Sequence, residues 1–142
     1  MKVLAVSISR TKGVVKENVP CATLKIDHGF ENDAHAGDWH RQVSLLATES
    51  IDKMRAQGLE LSPGDFAENI TTEGLDVPGM HVGDRVRIGD EAVLELTQIG
   101  KECHSGCAIM KAVGKCIMPT EGVFFKVLVP GEVRPGDKIE FA

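Results

Sequence analysis

Apolar residues recur along this chain in short alternating runs, and turn-forming residues separate them. Lys2–Ser9 alternates Val3, Ala5 and Ser7 against Leu4, Val6 and Ile8, which predicts a first strand. Arg10-Thr-Lys-Gly13 predicts a turn, and 14–19 and 22–26 predict further strand segments broken at Pro20. Val43-Ser-Leu-Leu-Ala47 is a continuous run that predicts a buried strand. Residues 48–57 carry the one clear helical signal: Ala47, Ile51 and Met54 form a narrow apolar stripe, and Met54 is expected in the core. Thr48 is expected as N-cap, Glu49 and Asp52 suit the positive end, Arg55 suits the negative end, and Gly58 stops the helix. Strands are predicted at 70–72, 92–98, 122–129 and 138–141, and a short second helix at about 105–113.

Two later pieces echo each other. Val77-Pro-Gly-Met-His-Val-Gly83-Asp84-Arg-Val-Arg-Ile88 is repeated as Val129-Pro-Gly-Glu-Val-Arg-Pro-Gly136-Asp137-Lys-Ile-Glu-Phe141, one residue longer before Gly-Asp. Both read as structural turns into strands. Eight to ten short strands, one clear helix and one short helix give a mainly β chain, a single domain over 1–142, folded as a compact barrel or folded sheet. No βαβ alternation, G-x-G-x-x-G or G-x-x-x-x-G-K-[ST] occurs, which argues against dinucleotide and P-loop chemistry.

Composition sharpens this picture. One Trp, five Phe and no Tyr in 142 residues require a largely aliphatic core. A net charge of −5 leaves no basic surplus for a general nucleic-acid binder, although a few local cations can still hold a small anion. No apolar run reaches 18 residues, so no membrane span is expected, and the apolar start is too short for a signal peptide. A cytoplasmic location is therefore expected, where the four cysteines are thiols rather than disulfides. Cys21, after Pro20, is expected to pack.

Three stretches carry candidate chemistry. In Thr97-Gln-Ile-Gly-Lys-Glu-Cys103-His104-Ser-Gly-Cys107 a strand hands over to a glycine-containing loop beside cations, a setting that suits an accessible thiol, although a buried cysteine fits equally well. The polar loop 28–42 holds Asp33, His35, His40 and Arg41; its histidines fit no recognised metal spacing, whereas a lone Arg among glycines suits a phosphate or carboxylate. Glu68 and Asn69, at the start of a strand, can bind a polar heterocycle or tie the loop. The spacing C-H-x2-C-x8-C from Cys103 to Cys116 leaves open a zinc site, and Cys103 with Cys107 leaves open a redox pair.

Taken together these pieces resemble the MOSC domain, named for the C-terminal domain of molybdenum cofactor sulfurase, in its small stand-alone bacterial form. The resemblance runs from about His28 to Asp137. It is carried by Gly29 through Asp33-Ala-His35 with Arg41-Gln-Val-Ser-Leu-Leu, by Pro63-Gly-Asp-Phe-Ala-Glu68-Asn69-Ile, by Gly83-Asp84-Arg-Val-Arg-Ile, by Thr97-Gln98 with Cys103 six residues after the threonine, and by Gly122-Val-Phe-Phe-Lys-Val-Leu with Gly136-Asp137. It implies a MOSC-type β-barrel with a cleft for the molybdenum cofactor (molybdopterin). Cys103 is implied as the functional cysteine, a persulfide-bearing sulfur carrier or a molybdenum ligand. Arg41, Ser44, Glu68 and Asn69 are implied to line the cleft, and Asp33 and His35 to belong to its polar loop. Lys101 stands where the family carries an arginine. The implied partners are a sulfur donor such as a cysteine desulfurase, or a molybdoenzyme or cofactor-maturation protein. A non-catalytic pterin-binding module is the remaining alternative.

Overall fold

The computed structural model describes residues 1–11, 15–58, 60–100 and 121–142. The strands are β1 (Lys2–Ile8), β2 (Glu17–Val19), β3 (Ala22–Lys25), β4 (Gly29–Phe30), β5 (Val43–Ala47), β6 (Ile70–Glu73), β7 (Arg85–Ile88), β8 (Ala92–Ile99), β9 (Val123–Val129), β10 (Gly131–Val133) and β11 (Ile139–Phe141). One α-helix, α1 (Thr48–Arg55), and one 3-10 turn at Val77–Gly79 complete the described elements. The short helix expected at 105–113 lies outside the described residues. β4 and β10 were not expected: two or three residues each, they exist only through pairing with β3.

Eight strands form one sheet in the order β11-β7-β8-β9-β5-β6-β1-β2, and β10-β3-β4 form a second. The expected closed barrel is corrected by these ladders. β1 gives Val6–Ile8 to β2 on one edge and pairs with β6 on the other, so only its first residues remain for β11. There Lys2 and Lys138 form a single isolated bridge. Val3 N–H donates to Asp137 O (2.8 Å), Gly136 N–H to Val3 O (2.7 Å) and Ile139 N–H to Met1 O (3.0 Å). The sheet curls until its ends touch, but no strand ladder among the described residues closes it.

β5 sits at the centre, parallel to β6 and antiparallel to β9, and all five of its residues are buried. Because successive side chains point to opposite faces, Val43, Leu45 and Ala47 enter the main core while Leu46 enters a second cluster with Ile51, Met54, Phe66, Ala67 and Phe124. That cluster docks α1. In β1 the pairing slips between Val3 and Ala5, and this bulge puts Val3 and Val6 into the same core instead of on the opposite faces that strict alternation predicts.

α1 differs from expectation at its start. Ala47, still extended at φ −74° and ψ 139°, occupies the N-cap position and offers no side-chain bond, so Thr48 is the first helical residue. β5 runs straight into the helix, and strand pairing fixes where it begins. At the other end Gly58, at φ +91°, donates to Arg55 O (2.9 Å). The echoed turns are alike in detail. Gly83 and Gly136 both have positive φ, and Asp84 and Asp137 each accept the amide three residues back, of His81 and Arg134, at 2.8 Å. Cys21 is exposed rather than packed, because it occupies the turn between β2 and β3.

Candidate functional site

The polar loop after β4 is held from beneath by a fully buried ion pair. Lys16 Nζ lies 2.7 Å from Asp33 Oδ1, with neither side chain exposed. Asp33 Oδ1 also accepts Ser9 N–H (3.1 Å), and Oδ2 accepts His35 N–H (3.2 Å). Lys16 Nζ stands 3.0 Å from His35 Nδ1. An ammonium only donates, so Nδ1 accepts and the imidazole carries its proton on Nε2. Removing either charge of such a pair costs about 3–5 kcal/mol, because the survivor stays buried without its counter-charge.

From this base the loop rises to Trp39, whose indole N–H donates to His35 O (2.8 Å) and whose amide donates to Gly37 O (3.0 Å). The Arg41 guanidinium carbon sits 4.5 Å over the Trp39 ring centroid and 5.8 Å over that of Phe124. Its Nε is buried and has no hydrogen-bond partner, and Arg41 forms no ion pair with a described carboxylate. An unpartnered buried N–H costs about 1–3 kcal/mol, so this donor is set up for a ligand oxygen or a water.

The same loop meets the end of β8. His40 Nε2 is 2.7 Å from Gln98 Oε1, and the Thr97 hydroxyl reaches both His40 O and Phe124 O. Gln98 Nε2 donates to Gly100 O (2.7 Å), and Gly100 N–H donates to Gly122 O (2.7 Å). Trp39, His40, Arg41, Thr97, Gln98 and Phe124 therefore converge where the chain leaves β8, three residues before Cys103 in sequence. Cys103, Lys101, His104, Cys107 and Cys116 lie outside the described residues, and so do the zinc and redox arrangements built from them. Among the described residues no three His, Cys, Asp or Glu side chains converge as metal ligands.

Ser44 and Asn69 lock two elements together. Asn69 Oδ1 accepts Ser44 N–H (3.0 Å) and the Ser44 hydroxyl (3.1 Å), Asn69 N–H donates to Ser44 Oγ (2.9 Å), and Asn69 Nδ2 donates to Ser7 O (3.1 Å). Glu68 is fully buried. Oε2 accepts the Thr71 hydroxyl (3.0 Å) and Oε1 has no partner. Burial pushes its carboxyl up from 4.5 to about 7, against the pull of the Gly64, Glu68 and Phe66 amides and the Thr71 hydroxyl. Ala67 just before it holds a left-handed φ of +64°.

Thus the structure brings Arg41 to the end of β8. It uses Asp33 and His35 to brace the loop, and Ser44 and Asn69 to brace its neighbouring strand. Sequence reasoning missed Lys16, whose burial depends on a partner 17 residues away. It also missed Trp39, although an aromatic two residues before an arginine was a usable signal. An open groove of about 1070 Å³, lined among others by Lys25, Arg87, Asp90 and Arg134, lies at the opposite end of β8. Its walls are turn backbone and exposed ion pairs such as Arg134–Glu132, so it holds none of the buried chemistry described above.

The sequence profile described as "MOSC domain" matches residues 31–140. No curated protein gives a significant match. Among solved structures the chain is similar to the YuaD protein of Bacillus subtilis, with TM-score 0.78 and 19% identity, covering 97% of this chain and 93% of that one. It is similar to YiiM of Geobacillus stearothermophilus, with TM-score 0.75, 20% identity and coverage of 99% and 74%. It is similar also to YiiM of Escherichia coli, with TM-score 0.71, 19% identity and coverage of 100% and 70%.

Proposed function

The chain belongs to the MOSC domain family, and from that membership we propose that it acts through Cys103 in sulfur transfer to, or binding of, the molybdenum cofactor. The observation that carries the reading is Arg41: a half-buried guanidinium with an unpartnered Nε, at the point where β8 delivers the chain towards Cys103.

The donor set fits such a group. Arg41 would hold its phosphate, since a guanidinium matches an oxyanion with paired donors. Glu68, fully buried and bonded to the Thr71 hydroxyl, would support the start of β6 from within rather than meet the ligand. Asp33, His35, Ser44 and Asn69 keep the loop and strand in place behind it. When bound, the molybdenum cofactor supplies a soft metal for which a cysteine thiolate is a matching ligand.

In the carrier role, the Cys103 thiolate attacks the outer sulfur of a donor persulfide. The new S–S bond forms on Cys103 and the donor leaves as a thiolate. An acceptor nucleophile then takes the outer sulfur, and Cys103 returns to thiolate. Lys101 and His104 favour the thiolate, while Glu102 opposes it. The donor would be a cysteine desulfurase or a comparable persulfide protein.

Mass spectrometry after incubation with a cysteine desulfurase and cysteine tests this. The parent is expected to gain one sulfur, and Cys103→Ala none. Equal labelling of the two would sink the carrier role. Pterin fluorescence that survives loss of Cys103 would leave a non-catalytic binding module instead.

A further inference from the structure

We infer that Trp39 is a positioning residue: it aims Arg41 so that the edge of its guanidinium recognises an oxyanion, a phosphate or a carboxylate. The inference rests on the reading above only in placing the oxyanion on the ligand of the same site.

The chain of support runs from core to tip. The buried Lys16–Asp33 pair fixes His35, the His35 carbonyl accepts the indole N–H, and the indole lies under the Arg41 guanidinium at 4.5 Å. Stacking occupies the face of a guanidinium and leaves its N–H groups, which lie in its plane, available. Arg41 has a buried Nε without a partner and no described carboxylate to turn towards. Nothing in its described surroundings other than aromatic rings orients this cation. An arginine held by rings rather than by an acid keeps its full charge for a ligand. A lysine at 41 would lack both the planar face and the fork. At 39, a leucine would lack the ring, and a phenylalanine would lack only the indole hydrogen bond.

Trp39 is the chain's single tryptophan, so its emission reports this stack directly. The experiment titrates the protein with inorganic phosphate and, separately, with acetate, following Trp39 emission. Calorimetry follows the Trp39 variants, and circular dichroism checks their fold. Saturable phosphate binding is expected in the parent. Trp39→Leu and Arg41→Lys are each expected to weaken it about tenfold, the order of a partly desolvated cation–π contact. Trp39→Phe is expected to stay close to the parent. A response to phosphate but not acetate assigns the oxyanion as phosphate; the reverse assigns a carboxylate.

Parent-like binding by Trp39→Leu overturns the inference, as does a parent that binds neither anion. If Trp39→Leu does not fold, Trp39→Phe decides: binding close to the parent supports positioning by the ring, and binding as weak as in Arg41→Lys overturns it. Loss of Cys103 labelling with the phosphate response intact would overturn the sulfur reading and leave this one standing.

Discussion

Glu68 shows how one residue sets a stability profile. Its carboxyl ionises near 7 in the fold, against an ordinary 4.5, because no water reaches it. Below about 4.5 both folded and unfolded chains hold the proton. Between 4.5 and 7 the unfolded chain releases it and the fold retains it, so stability falls as pH rises through this window. The total is about 3 kcal/mol, fully lost above about 7. Glu95, held low by Lys126 and Arg85, and Glu140, held low by Lys138, act in the opposite sense, but Glu95 is partly exposed and Glu140 about half exposed, so solvent screening leaves both little weight. Urea denaturation at pH 5 and pH 8 should show the parent less stable at pH 8. Glu68→Gln should flatten that difference and be the more stable protein at pH 8. An unchanged slope in the variant would show that Glu68 is not its source.

At the scale of elements, the turn from Pro63 to Ala67 shows close approach of backbones. Gly64 has φ +94° and exchanges a hydrogen bond with Lys16, whose N–H donates to Gly64 O (2.8 Å). A Cβ at 64 would run into the Lys16 carbonyl and stand 3.0 Å from Ser7 Oγ. Gly64→Ala therefore strains the backbone and pushes on the segment that buries Lys16. A loss of about 2 kcal/mol or more is expected in thermal or chemical unfolding. Gly83→Ala, at a similar φ but in open space, should cost less, about 1 kcal/mol. Equal losses would mean that the approach to Lys16 carries no weight.

The same contrast explains what could be read from sequence. β5 and α1 were legible because five adjacent small or apolar residues and an i, i+3, i+4 stripe encode them locally. β4 and β10 were not, because a Gly-Phe and a Gly-Glu-Val become strands only by pairing with β3. Arg41 stood out in the sequence as a lone arginine among glycines, whereas its ring support depends on folding that no spacing encodes. Ser44 and Asn69 were expected only to line a cleft, and their mutual hydrogen bonds depend on packing that no spacing encodes.

For the whole molecule, the described ion pairs are exposed or partly exposed with one exception, Lys16–Asp33, so surface charge contributes little to stability. No described helix is long and apolar enough to cross a membrane. The load falls on one apolar core spanning the large sheet and β3, together with the smaller cluster under α1.

The contact between Met1 and Ile139 has a consequence for connectivity. Because the first and last strands meet in space, covalent order and spatial order are separable here. A circular permutant that joins Ala142 to Met1 by a short Gly-Ser linker and opens the chain between the exposed Asp90 and Glu91 keeps every strand pairing intact. It is expected to fold with a melting temperature within a few degrees of the parent, and a permutant that fails to fold would show that the hairpin of β7 and β8 must form as one continuous piece. Such a chain would carry its free ends at the groove and leave the Arg41 end of the sheet unbroken. The Arg41 end of this fold can thus be left whole while the chain is rewired from behind, like an instrument whose handle is replaced without touching the blade.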